Sequence, residues 1–155
     1  MEAVTTVCLV GEPDLHLRVE LLSRETSADA LSMYTLTAPF DNSVAVQTVS
    51  LGTAVALCND LDWYIRRFVD RAMILEESIS REEWLSRALA TAVRDREVDP
   101  ETTRRYLAIY GVTDGTLTEP LFTQPVDEQP LPPYDLAAVE TTVVVRITAE
   151  EFRAG

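Results

Sequence analysis

Thr53–Met73, TAVALCNDLDWYIRRFVDRAM, is the stretch on which the fold turns. Its apolar positions Leu57, Leu61, Ile65, Phe68 and Ala72 recur at the spacing of a helix with one buried stripe. The spacing predicts one long helix from Thr53 to near Met73. Asn59, Asp60 and Asp62 interrupt its polar side. Asp60 and Asp62 lie about 200° apart around a helix, so they read as a solvated acidic face and not as a paired acid and base. Asp62 and Arg66 stand in the favourable i, i+4 order.

Upstream, Val4 to Val10 is β-branched and apolar, which reads as a buried strand with Gly11 as its stop. Glu12-Pro13-Asp14 suits a helix start. The segment from Leu15 to Leu22 satisfies a helix face through Leu15, Val19 and Leu22. It also satisfies strand alternation through Leu15, Leu17, Val19 and Leu21. The proline start favours the helix. Met33–Ala38 and Ser43–Ser50 read as two strands joined by the turn Pro39-Phe40-Asp41-Asn42, a hairpin.

Downstream, Ser80 reads as an N-cap, with Glu83 completing a capping box and Ile79 stapling onto Trp84. Leu85, Ala88, Leu89, Ala92 and Val93 form its buried stripe. Asp99 caps a following helix, Pro100 opens it, and Gly111 closes it after Tyr110. These two form a helical pair over residues 80–111. Asp114-Gly115 marks a tight turn. Pro120, Pro125, Pro130, Pro132 and Pro133 make 120–136 an extended connector. Val139–Thr148, within a last segment 137–149, is a β-branched run too apolar for a solvated edge. It should return to the same sheet, which groups residues 1–119 as one α+β unit. The fold class is α+β with a mixed or antiparallel sheet. The element order is that of a ferredoxin-like split βαβ with an inserted helical hairpin and a late C-terminal strand.

Lysine is absent. All 13 basic residues are arginine, set against 26 aspartates and glutamates, for a net charge of −13. At 46% hydrophobic residues the chain can still build a core, so the charge does not imply disorder. An acidic surface without ammonium groups suits concentrated salt, where repulsion is screened to about 3 Å at 1 M. The same field repels phosphate, which disfavours direct nucleic-acid binding and an anionic membrane. No apolar window reaches the roughly 18 residues a membrane span needs. The first residues lack the basic start of a secretory leader. A cytoplasmic setting is expected.

The chemistry is sparse. His16 is the single histidine, so a two-imidazole mechanism or a dense zinc site is excluded. Glu12, Asp14 and His16 would share a face only on a strand, and no metal is expected there. Gly11 lacks the further glycines of a dinucleotide loop and the lysine of a Walker loop. Cys8 and Cys58 sit in apolar segments and read as reduced core thiols, Cys8 a core filler and not a nucleophile paired with His16. No catalytic residues and no cofactor are expected. The more unusual feature is the arginines. Arg66, Arg67 and Arg71 cluster late in the long helix beside Trp63, and Arg104-Arg105 stand in the third helix. Their ordinary explanation is ion pairing to Asp62, Glu76 or Glu77. Their functional one is a ligand or partner patch, since guanidinium grips carboxylates and phosphates in a fork and tryptophan anchors interfaces.

The segments VCLVGEPDLHLRVELLSRETS, NSVAVQTVSLGTAVALCNDLDWYIRRFVD and EEWLSRALA resemble a family of small uncharacterised acidic proteins of halophilic archaea. The likeness spans roughly residues 4 to 122. It implies a host and a compartment and carries no mechanism and no site residue. The expected function is a non-catalytic regulator or adaptor in a high-salt cytoplasm, acting on a protein partner or on itself as a homodimer. The alternative is a small anionic-ligand or nucleotide-binding domain, or an enzyme using carboxylates and arginines, with Arg66, Arg67 or Arg71 converging on Glu12, Asp14 or His16.

Overall fold

The computed structural model describes residues 4–125 and 141–154. β1 (Thr5–Gly11) is the strand that the β-branched start predicts, and it is paired on both sides. β2 (Ser43–Thr48) runs antiparallel to it from Thr5↔Thr48 to Val10↔Ser43. β3 (Val69–Glu76) runs antiparallel on the other side, from Thr5↔Glu76 to Gly11↔Val69. With β4 (Trp84–Ser86), β5 (Tyr106–Thr113), β6 (Thr116–Thr123) and β7 (Thr141–Ile147) they form a seven-stranded sheet of order β2-β1-β3-β4-β7-β5-β6. Among the described residues only β4 and β7 pair in parallel, so the sheet is mixed and mostly antiparallel. The fold is therefore α+β. Its detail is not a split βαβ, in which a third strand lies between the two joined by the first helical crossover. Here β2 lies directly against β1.

The helices are α1 (Leu17–Leu22), α2 (Glu25–Leu31), α3 (Leu51–Asp60), α4 (Asp62–Phe68), α5 (Arg87–Arg94) and α6 (Ala149–Ala154). Alternation along the strands divides the core in two. Val7, Leu9, Val44, Val46 and Ile74 pack with Leu17, Leu21, Leu31, Val55, Leu61, Ile65 and Leu89 from the helices. Cys8, Val10, Ala45 and Met73 face the other way and meet Ala108, Tyr110, Val145 and Ile147 of β5 and β7. Strands distant in the sheet order thus share one core, which requires the sheet to curl. The two ends touch: the Asp41 amide, just before β2, donates to the Gly115 carbonyl at 2.8 Å.

Several elements differ from the sequence pattern. The long helix is three elements. It breaks at Leu61 (φ −96°, ψ 7°), resumes as α4, and becomes β3 at Val69. Ala72 and Ile74 pack with one core and Met73 with the other, so this run is buried on both faces by β1's need for a second neighbour. Leu15 to Leu22 is helical only from Leu17, and α2 follows as a second short helix. Met33–Ala38 is not a strand. The expected hairpin survives as a single bridge, Thr37↔Ala45, because Tyr34 and Leu36 turn toward the helix-side core.

The helical pair over 80–111 does not form. The Ser80 hydroxyl accepts from the Glu82 and Glu83 amides at 3.2 and 2.9 Å, yet a strand follows. Ile79 and Trp84 pack against different cores, so they cannot staple. The working cap is Ser86, whose hydroxyl accepts from the Leu89 amide at 3.1 Å and opens α5. Asp99 and Pro100 do begin a helix, but it is a short 3-10 segment, Pro100–Arg105. The aromatic and β-branched run that follows is buried on both sides as β5, with Gly111 at an irregularity inside it. Asp114 and Gly115 (φ 52° and 80°) make the expected turn, and this φ-positive pair suits a type I′ hairpin. Pro120 lies in β6 at the sheet edge, where a missing amide donor is tolerated. β7 enters the sheet interior between β4 and β5. Residues 126–136 of the expected connector and 137–140 of the last segment lie outside the described residues.

Candidate functional site

α4 is short, and its two faces differ sharply. Leu61 ends α3 and also accepts the Ile65 amide at 2.9 Å, so the two helices join at one buried leucine. Leu61 and Ile65 go into the core. Two residues past Leu61, Trp63 points outward and is 43% exposed. The Arg67 guanidinium stacks 3.9 Å above the Trp63 ring and donates to the Trp63 carbonyl at 3.1 Å. From the loop between α1 and α2, Arg24 lies 5.7 Å from the Trp63 ring and 5.0 Å from that of Phe68. Tyr64 and Phe68 meet Trp63 edge-on at 5.0 and 6.0 Å. Each exposed cation–π contact is worth roughly 0.5–1 kcal/mol, so together they hold an exposed ring in one orientation.

The neighbouring charges are already matched. Asp62 binds Arg87 at 2.8 Å and Arg66 at 2.9 Å, the second being the i, i+4 pair that the sequence predicts. Arg87 also donates to Asn59 at 3.1 Å. The hydrogen bond from Arg87, with help from Arg66, holds the Asp62 carboxyl below its ordinary range. Arg24 pairs with Glu20 at 3.4 Å. Among the described residues Arg67 has no carboxylate within ion-pair distance, so none of them matches its charge.

The six residues singled out from the sequence fall in three places. Trp63, Arg66 and Arg67 share α4. Arg71 is on β3, where it pairs with Asp70 at 3.5 Å and lies 5.5 Å from the Tyr110 ring. Arg104 binds Glu83 at 3.0 Å, and Glu83 also holds Arg146 at 2.8 Å. Arg105 is exposed at the end of the 3-10 segment. Glu76 and Glu77 do not take the arginines. Glu76 accepts from Thr5 and Ser78, and Glu77 from the Val4 amide. Arg24 is the residue that sequence reasoning missed. It lies far from Trp63 along the chain, and no spacing rule connects them.

Glu12 does approach α4 through its backbone, its amide donating to the Phe68 carbonyl at 2.9 Å. No ion pair joins Glu12, Asp14 or His16 to Arg66, Arg67 or Arg71 among the described residues. His16 is exposed at the N-cap position of α1 and makes no side-chain cap bond. Cys8 and Cys58 are both free and buried. Burial pushes their thiols up to about 12 and about 11, which keeps them protonated and unreactive. Among the described residues no three His, Cys, Asp or Glu side chains are grouped as metal ligands, and no helix is long and apolar enough to cross a membrane.

Neither a curated protein nor a solved structure matches the chain. A family match does exist, and it runs from β1 into β5, taking in the α4 face and leaving out β6, β7 and α6. Residues 5–112 match a family of unknown function, DUF5804, and the chain belongs to that family.

Proposed function

We propose that this chain is a non-catalytic adaptor or regulator of a high-salt cytoplasm, and that it docks an acidic protein segment on the α4 face. The observation that carries this reading is Trp63, 43% exposed yet fixed by Arg67 at 3.9 Å and flanked by Arg24. A large aromatic side chain already ordered before contact loses little entropy on binding, which is what an interface anchor requires. The partner's chemistry follows from charge. Arg67 has no carboxylate of its own among the described residues, and the fork of a guanidinium suits one from elsewhere. A two-fold pairing through this face brings only a second copy of the same arginines, so a distinct acidic partner is the better complement to Arg67 and Arg24. High salt shortens the reach of the chain's net −13, leaving short-range anchors to decide binding.

The test is titration of a dye-labelled synthetic polyglutamate peptide carrying spaced leucines, in molar potassium chloride, followed by the fluorescence anisotropy of the dye. Binding should weaken about tenfold in Trp63→Ala and in Arg67→Ala and stay unchanged in Arg105→Ala. Equal binding by all four proteins, or none by the parent, removes the α4 face from consideration. Self-association that Trp63→Ala abolishes would replace the acidic partner with a second copy.

A further inference from the structure

The short β4 leaves an opening in the sheet. It covers only Met73 and Ile74 of β3, and after Ser86 the chain departs as α5. On its other side β7 runs on beside β5 to Tyr106↔Ile147. Between the start of β3, which β4 leaves uncovered, and the end of β7 lies a cleft of about 360 Å³ on the face that carries Met73, Ala108 and Val145. Ala108, Phe122, Val145 and Ile147 give it an apolar wall, while Asp70, Arg71, Ser86, Tyr110 and Glu151 supply its polar groups. Its volume sits at the low end of the roughly 300–1,000 Å³ usual for small-molecule sites.

The polar groups are held by the fold. Arg71 on β3 lies 5.5 Å from the ring of Tyr110 on β5, a contact across two intervening strands. Tyr110 is buried, and that burial raises its hydroxyl, so it remains a hydrogen-bond donor at neutral pH. Glu151 is fixed by α6, with Oε1 accepting from the Thr148 amide at 3.0 Å and from the Ser86 hydroxyl at 2.5 Å. Both bonds use the same oxygen. The lining therefore presents one guanidinium and two carboxylates beside an apolar wall, with Arg71 and Asp70 loosely paired at 3.5 Å and Glu151 the carboxylate without an arginine among the described residues. A simple anion would meet Asp70 and Glu151, and a simple cation would meet Arg71. A zwitterion with an apolar body satisfies all three.

We infer that this cleft binds a free apolar α-amino acid, its carboxylate on Arg71, its ammonium toward Glu151 and Asp70, and its side chain against Ala108, Phe122, Val145 and Ile147. The site is separate from the α4 face and stands without it. The test is calorimetric titration of the purified chain with L-leucine and L-phenylalanine, alongside isoamylamine and isovalerate, which carry the ammonium or the carboxylate alone. At least one amino acid should bind, and each half-ligand should bind about tenfold more weakly or worse, since each lacks one charge-assisted contact. Arg71→Gln should weaken the amino acid about tenfold. Ala108→Leu, which fills the wall, should abolish binding while the circular dichroism stays that of the parent. No binding of either amino acid at about 10 mM overturns the proposal. So does a half-ligand that binds as tightly as the whole, or undiminished binding in a folded Ala108→Leu.

Discussion

Asn42 ties three stretches of backbone together through one side chain. It sits at φ 52°, a conformation that asparagine tolerates better than most residues. Its Oδ1 accepts the Leu17 amide at 2.8 Å, which supplies from a distant loop the cap that His16 does not give α1. Its Nδ2 donates to the Glu12 and Leu15 carbonyls at 3.0 and 2.9 Å. Gly11 lets this happen: a Cβ there would stand 2.7 Å from Asn42 Nδ2 and 2.8 Å from Leu17 Cβ. Asn42→Ala loses three hydrogen bonds and keeps the strained backbone, an expected cost of about 3 kcal/mol. Asn42→Gly loses the bonds but not the backbone freedom, so it should cost about 2 kcal/mol. Urea unfolding measures both, and a cost under about 1 kcal/mol for Asn42→Ala would mean the loop does not need this residue. The sequence shows Asn42 only as a turn residue. Its partners are settled by how β2 returns beside β1, which no local pattern encodes.

At the scale of elements, local signals were legible where they were sufficient and misleading where two structures use the same signal. Asp114-Gly115 needs positive φ twice, and the hairpin follows from that alone. The Thr53–Met73 stripe is helical as far as Phe68, but beyond it a helix stripe and a two-sided strand look alike. The same holds for Trp63 and Arg67, legible together because four residues apart on a helix is adjacency. Arg104-Arg105 and Arg71 gave no such guide to their separate destinations. The sharpest case is the pair of serines. Ser80 carries the full capping-box pattern and starts no helix, because Glu83 is drawn to Arg104 and Arg146 at 3.0 and 2.8 Å. Ser86 carries no box, yet it caps α5 and donates to Glu151. Ser86→Ala should therefore cost about 2 kcal/mol, a cap plus a charge-assisted bond. Ser80→Ala should cost about 0.5 kcal/mol, the value of a loop bond near solvent. Thermal melts of the two variants decide it, and equal losses would mean that α5 does not depend on its cap.

For the whole molecule the governing quantity is the balance of 26 carboxylates against 13 guanidiniums. Salt acts on that balance in two opposite ways. It weakens surface pairs such as Arg66–Asp62, with side chains 67% and 38% exposed, but such pairs contribute only about 0–1 kcal/mol each. It also screens repulsion among the surplus carboxylates, a term summed over the entire curled surface and largest in the folded state, where the charges are closest. The second effect should win, so the urea midpoint should rise as potassium chloride goes from about 0.1 M to 1 M, while the screening length falls from about 10 to 3 Å. Arg66→Gln and Arg87→Gln test the account from within, since both remove positive charge. Each should lose more stability at about 0.1 M salt than at about 1 M, because the unmasked Asp62 then joins the repulsion. A midpoint that does not move with salt in the parent chain would mean that the charge surplus is neutral to folding. The missing lysines and the acidic surface would then call for a cationic partner and not for brine.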